Sequence, residues 1–292
     1  MSFVQRLIDA TFTLGTGSFG SGGSNTVKLS GVRASAKVIK AGGRSMGTLD
    51  MSVYGMTPSD MNQLSTLGMI ATTLRRNGVL VEAGDAVSGM GTVFVGTITN
   101  AYPDFQGAPD VAFRVEAHTG AIDALIPQPP TSVKGSADVA TLLAGLAAQM
   151  GVSFENNGVT TQLSNPYFAG PARVQARAIV EAAGCEWNAV DNGILAIWNP
   201  GESRGGEVPL ISPDTGLVGY PSYASNGIQF VTLFNPSIGF GQKVQVKSSL
   251  EQACGTWTVY GLDHDLETMT PNGQWFSTVQ AAQVGLGPFV PS

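Results

Sequence analysis

Gln242-Lys243-Val244-Gln245-Val246-Lys247, Thr256-Trp257-Thr258-Val259-Tyr260 and Gln274-Trp275-Phe276-Ser277-Thr278-Val279 decide the fold. The first stretch alternates polar and apolar residues, the period-2 pattern of a strand with one face buried. The second repeats that texture with β-branched and aromatic side chains, and the third follows the turn residues Pro271-Asn272-Gly273. The run from Phe240 to Ala282 therefore reads as three strands with a turn before the last. Its residue types build sheets and interfaces, and those that usually carry catalysis are sparse in it.

Working outward, the chain to about residue 125 is also strand-rich. Thr26–Leu29, Ala34–Ile39, Gly47–Tyr54, Gly78–Glu82, Thr92–Thr99 and Val111–Ala117 all carry strand texture, with glycine turns such as Gly42-Gly43 between them. Short strands at regular spacing predict a closed or nearly closed barrel. One helix interrupts them, with Thr57 as N-cap, Pro58 at the first helical position, and Met61, Leu64 and Leu67 at helical spacing. The middle of the chain changes period. Pro127-Gln128-Pro129-Pro130 reads as a stiff break at a domain boundary. After it Ser136 is placed to cap a helix carrying Val139, Leu142, Leu143, Leu146 and Met150, and a second helix runs from near Pro171 to Gly184. Asp191-Asn192-Gly193 between two short apolar runs is a hairpin turn.

These patterns give a mainly β chain with a smaller α+β part, divided at 1–125, 126–205 and 206–292. At 292 residues there is room for two or three domains with cores of ordinary size. Only 12% of residues are charged, about half the usual share, and Gly, Ser, Thr, Asn and Gln stand in their place. Such a surface repels partners weakly and suits extensive contact with other chains; a monomer with a neutral polar surface is the plainer alternative. The net charge of −6 and the longest basic run, Arg75-Arg76, argue against a nucleic-acid-binding role. Cys185 and Cys254 are far apart in sequence; two free buried thiols of a reducing cytosol is the better reading, and a bridge between them is the alternative. The N-terminus lacks the pattern of a signal peptide, and no stretch approaches the ~20 apolar residues of a membrane span, so the expected product is soluble with no membrane anchor.

A search for chemistry returns little. Gly15-Thr16-Gly17-Ser18-Phe19-Gly20 has the glycine spacing of a dinucleotide loop, but a strand and not a helix follows it. The chain has two histidines, His118 and His264. In Asp263-His264-Asp265 strand alternation puts the carboxylates on one face and the imidazole on the other, a poor metal site. Ala41–Gly47 lacks the spacing of a nucleophile elbow and reads as a hairpin turn. A cysteine nucleophile would need His118 or His264 brought to Cys185 or Cys254 by the fold. Trp187, Trp198, Trp257 and Trp275 fall in strands, as core or interface anchors or as a stacking platform. No catalytic, cofactor-binding or metal-ligating residue is assigned, and no cofactor is expected.

Several stretches resemble one family. Asn25–Gly31, Val53-Tyr54-Gly55-Met56, Met61–Gly68 and Val93-Phe94-Val95-Gly96-Thr97-Ile98 in the first part are similar to baseplate (tail) hub proteins of contractile-tailed bacteriophages. So are Val244–Leu250, Trp257–Glu267 and Pro271–Trp275 in the last part. Late control gene D proteins and the first part of the VgrG spike of type VI secretion share the architecture. The resemblance implies two tail-tube-like β-barrel domains with an α+β domain inserted between or beside them. It implies a non-enzymatic virion protein, assembled in the host bacterial cytoplasm, that forms a homotrimeric hub in the tail baseplate. That hub would join the sixfold tail tube protein to the threefold central spike protein, touch other baseplate proteins, and line a channel through which genomic DNA passes without specific binding. The alternatives are a tail-associated peptidoglycan hydrolase, which needs two carboxylates across a cleft, and a glycan- or receptor-binding tail-tip module with an exposed tryptophan groove.

Overall fold

The computed structural model describes residues 4–20, 23–42, 45–66, 76–87, 89–224 and 226–283. Leu67, Gly68, Arg75, Gly43 and Arg44 of the stretches above lie outside them. The first part of the chain forms β1 (Arg6–Thr13), β2 (Thr26–Leu29), β3 (Ala34–Ala41), β4 (Thr48–Tyr54), α1 (Pro58–Leu64), β5 (Gly78–Asp85), β6 (Gly89–Asp104) and β7 (Ala112–His118). The last part forms β15 (Leu210–Ile211), β16 (Leu217–Ala224), β17 (Gly227–Leu233), β18 (Lys243–Val246), β19 (Gly255–Thr268) and β20 (Trp275–Ala282).

Both parts belong to one 13-stranded sheet with the order β16-β17-β20-β19-β3-β4-β7-β6-β5-β1-β2; β15 pairs β18, which pairs β19. The chain is mainly β, as the alternation implied. The link between the two parts is β19. The sequence marked Thr256–Tyr260 as strand and read Asp263–Asp265 by strand alternation; β19 joins the two and continues to Thr268, with Leu262, His264 and Leu266 keeping the inward alternation. Its residues Gly261 to Thr268 pair with Ala41 to Ala34 of β3 in antiparallel register. At its end Thr268 Oγ1 donates to the Arg6 carbonyl at 2.8 Å, so the run of strands from β19 to β1 returns on itself. Among the described residues β1 and β19 share no backbone ladder.

Three apolar clusters result. In the first, Phe12 and Phe113 meet edge to face with ring centroids 6.5 Å apart, and Leu266 and Trp275 from the far end of the chain join strands β1 and β3 to β7. The third gathers Phe230, Val244, Trp257, Val259, Leu262 and Val279. All four tryptophans are buried, so they pack and do not form an exposed stacking platform.

The middle of the chain forms β8 (Pro127–Ser132), β9 (Ser136–Asp138), α2 (Val139–Met150), β10 (Ser153–Asn157), β11 (Gln162–Ser164), β12 (Tyr167–Pro171), α3 (Ala172–Ala183), β13 (Glu186–Asp191) and β14 (Ile194–Trp198). The helices pack on the sheet β10-β14-β13 through Leu143, Leu146, Ile179, Leu195 and Ile197. Two expectations change here. Ser136 lies in β9, and Asp138 is the N-cap of α2, its carboxylate accepting from Thr141 N at 2.9 Å. The proline run is not a bare break but the strand β8, paired with β12. Prolines suit such a two-stranded ribbon, because they forfeit ladder donors that an edge strand need not supply. Gln175, buried on α3, fixes it by accepting from Thr131 N at 2.9 Å and donating to Pro129 O at 3.0 Å.

Candidate functional site

The residues that could carry chemistry are kept apart. His264 is 2% exposed on the inward face of β19. Its Nδ1 lies 2.8 Å from Ser277 Oγ on β20, and its ring meets Phe234 edge to face. Burial, helped by the charge of Lys40, holds its pKa well below the ordinary histidine value. Asp263 and Asp265 face the other way, as alternation required. His118, at the end of β7, bonds Thr99 Oγ1 at 3.2 Å. Cys185 follows α3 and is half-buried; burial pushes its thiol up to about 11, which removes it as a nucleophile at neutral pH. Cys254, also half-buried, has its one S–H within reach of Ser248 O at 3.1 Å and Leu250 O at 3.5 Å, and its sulfur accepts from Ser248 N at 3.3 Å. Both thiols are free, though neither is fully buried. Gly15 to Gly20 lie in the connection between antiparallel β1 and β2, and among the described residues the next element is the strand β2. Among the described residues no group of three or more His, Cys, Asp or Glu could hold a metal ion, and no helix is long and apolar enough to cross a membrane.

The structure instead builds a polar joint where the middle of the chain meets the large sheet. Asn192 and Gly193 have φ of 51° and 75°, the paired positive values of a type I′ hairpin, so the turn has the form that its sequence specified. The turn does more than reverse the chain. Asn192 Oδ1 accepts from Lys40 Nζ at 3.1 Å and Asn192 Nδ2 donates to Thr92 O at 3.1 Å, reaching β3 and β6 together. Asp191 lies 3.3 Å from the same Lys40 ammonium, which is 6% exposed. Beside them Val190 has a φ of 59°, a left-handed conformation that costs a β-branched residue roughly 1–3 kcal/mol and persists only where its surroundings hold it. It lies in the irregular stretch of β13 between Asn188 and Asp191. Sequence reading missed Lys40, although the signal was present: in Ala34–Ala41 its parity is that of Ala36 and Val38, and an inward lysine needs a partner.

Two arginines extend the joint. Arg173 on α3 is buried and donates to Ser45 O at 3.0 Å and Thr119 O at 3.4 Å. Arg204 forks onto Glu155 at 2.6 and 3.2 Å and donates to Phe240 O at 3.2 Å. Burial alone would raise the Glu155 carboxyl, but its bonds from Arg204 and Asn157 outweigh that and leave it lowered. The Phe240 ring sits 6.2 Å from Trp198 and fills the space beside Gly42, where any Cβ would overlap it.

Two surfaces are open. On the solvent face of the sheet Asp265, Lys37, Asp50 and Glu116 stand side by side across β19, β3, β4 and β7, three carboxylates to one ammonium, all exposed. At the sheet's ends lie the edge strands β2 and β16. The β16–β17 hairpin exposes Val218, Tyr220, Tyr223 and Leu233, with Tyr220 71% exposed, and β16 carries no charge.

Comparison with known proteins agrees with this geometry. A tail protein from Neisseria meningitidis MC58 superposes with a TM-score of 0.61 at 9% identity, covering 96% of this chain and 97% of that one. The 43 kDa tail protein of prophage MuSo2 from Shewanella oneidensis gives 0.58 at 9% identity with the same coverage. An E. coli protein described as a component of the type VI secretion system, with structural similarity to the T4 bacteriophage tail proteins gp27 and gp5, gives 0.55 at 10% identity over 89% of this chain and 76% of its own. At such identities the likeness concerns the fold. A sequence search among curated proteins finds no match. The family model described as baseplate hub gp41 matches residues 7–278, nearly the whole chain. The chain therefore belongs to the baseplate hub gp41 family, structural proteins of the bacteriophage tail.

Proposed function

We propose that three copies of this chain form the hub that joins a sixfold tail tube to a threefold central spike and lines the DNA channel between them. Residues 1–125 and 206–292 act as two tube-like units, so three chains present six similar units to the tube and keep threefold symmetry for the spike. The observation that carries this reading is the single sheet. Its long shared strand β19 makes two apolar cores one continuous wall, which ends at β2 on one side and at the uncharged β16, with exposed Val218, Tyr220 and Tyr223, on the other. The row Asp265, Lys37, Asp50 and Glu116 supports a wall that duplex DNA passes without releasing counterions. No catalytic role is assigned to any residue; the work is geometric.

Sedimentation or native mass measurement of the purified chain, alone and mixed with its cognate spike protein, tests the proposal. The expected species holds three copies of the chain per spike trimer. A complex with one or two copies, or hydrolysis of peptidoglycan by the chain alone, would overturn it.

A further inference from the structure

A cavity of about 10 Å³ lies inside the polar joint, between β3, β13 and the residue after β7. Lys40, Asn188, Asp191 and Thr119 supply its polar wall, and Phe240 closes one side. The volume is that of a single water-sized centre. Asn188 is 3% exposed, and its Nδ2 has no hydrogen-bond partner within the protein. A buried amide N–H left unmet is costly, so a native structure supplies an acceptor. Lys40 Nζ carries three hydrogens and meets two residues, Asp191 and Asn192. Thr119 Oγ1 accepts from Gly47 N at 2.9 Å.

The wall thus offers donors, in Asn188 and Lys40, and acceptors, in the Asp191 carboxylate and the Thr119 hydroxyl. A cation would meet the Lys40 ammonium, an anion would meet the Asp191 carboxylate, and the volume admits nothing larger than one small particle. We infer that this cavity binds one internal water, which accepts from Asn188 Nδ2 and Lys40 Nζ and donates to Asp191, as a fixed part of the joint. The strained Val190 and the irregular pairing between Asn188 and Asp191 fit this assignment, since at that irregularity Asn188, Ala189 and Asp191 of β13 all line the one cavity.

A crystal structure of the full chain at a resolution that shows waters tests this without any substitution. The expected result is one peak within hydrogen-bond distance of Asn188 Nδ2 and Lys40 Nζ, at the scattering strength of water. Well-ordered walls with no peak, an Asn188 amide bonded to a protein acceptor, or an anomalous peak after a bromide soak would each overturn it. In solution, ¹⁷O relaxation dispersion on wild type and on Asn188→Leu gives an independent reading. The variant, which fills the site with methyl groups, is expected to lose one long-lived water; an unchanged amplitude in the folded variant would overturn the assignment. Should Asn188→Leu not fold, the crystal structure of the unsubstituted chain decides alone.

Discussion

Lys40 on β3 and Asn192 in the β13–β14 turn meet at 3.1 Å, although they lie 152 residues apart in sequence. The same asparagine closes its turn with a positive φ and ties that turn to two strands of the large sheet. Local and long-range roles in one residue can be separated by glycine, which keeps the turn and removes the side chain.

Asn192→Gly is expected to destabilise the protein by about 2–4 kcal/mol, because it deletes two hydrogen bonds and leaves the Lys40 ammonium short of an acceptor. Asn272→Gly is the control. Asn272 also has a positive φ, 55°, in the turn before β20, but lies on the surface. Its substitution should change stability by less than about 0.5 kcal/mol. Urea unfolding of both variants decides the matter; equal effects would mean that Asn192 serves its turn alone.

His264 predicts a pH dependence. Its folded-state pKa lies well below the unfolded value, so the unfolded chain takes up the proton first. Stability is then lost as pH falls below about 6.5, with a slope of up to about 1.4 kcal/mol per pH unit, until the folded imidazole also protonates. His264→Asn should remove this component while other titrations stay. The difference between wild-type and variant urea midpoints, followed from pH 8 to pH 5, should therefore shrink as pH falls. A constant difference would show that His264 does not titrate differently on folding.

The β16 edge should matter for assembly and not for the fold. Val218→Asp together with Tyr220→Asp places two charges on exposed positions. Stability is expected to change by less than about 0.5 kcal/mol per site, whereas the three-copy species should be lost in sedimentation. Trimers that persist with both aspartates in place would remove β16 from the subunit contact.

Much of this was written in local pattern. Period-2 alternation marked the strands at both ends of the chain, and capping chemistry marked α1 at Thr57 and α3 at Gly184. The inward and outward faces around His264 followed from parity alone. What local pattern left out was partnership. Nothing near Asp265 announces Lys37 as its neighbour, and the proline run became a strand only because Gln175 and β12 arrive from elsewhere to hold it. The joint was hidden for the same reason. Lys40, Thr92 and Asn192 are ordinary residues in ordinary strands and turns until the fold superposes them.

The long strand β19 also sets a timetable. Leu266 and Trp275 complete the core of the first strands, and Thr268 reaches Arg6 across 262 residues of sequence. While the ribosome is still making the chain, β3 has one edge unpaired and that core has one side open. Folding therefore cannot proceed unit by unit from the N-terminus, and contacts so distant along the chain are slow to form. A product truncated before residue 255 would carry the whole first set of strands and still lack the one that joins them.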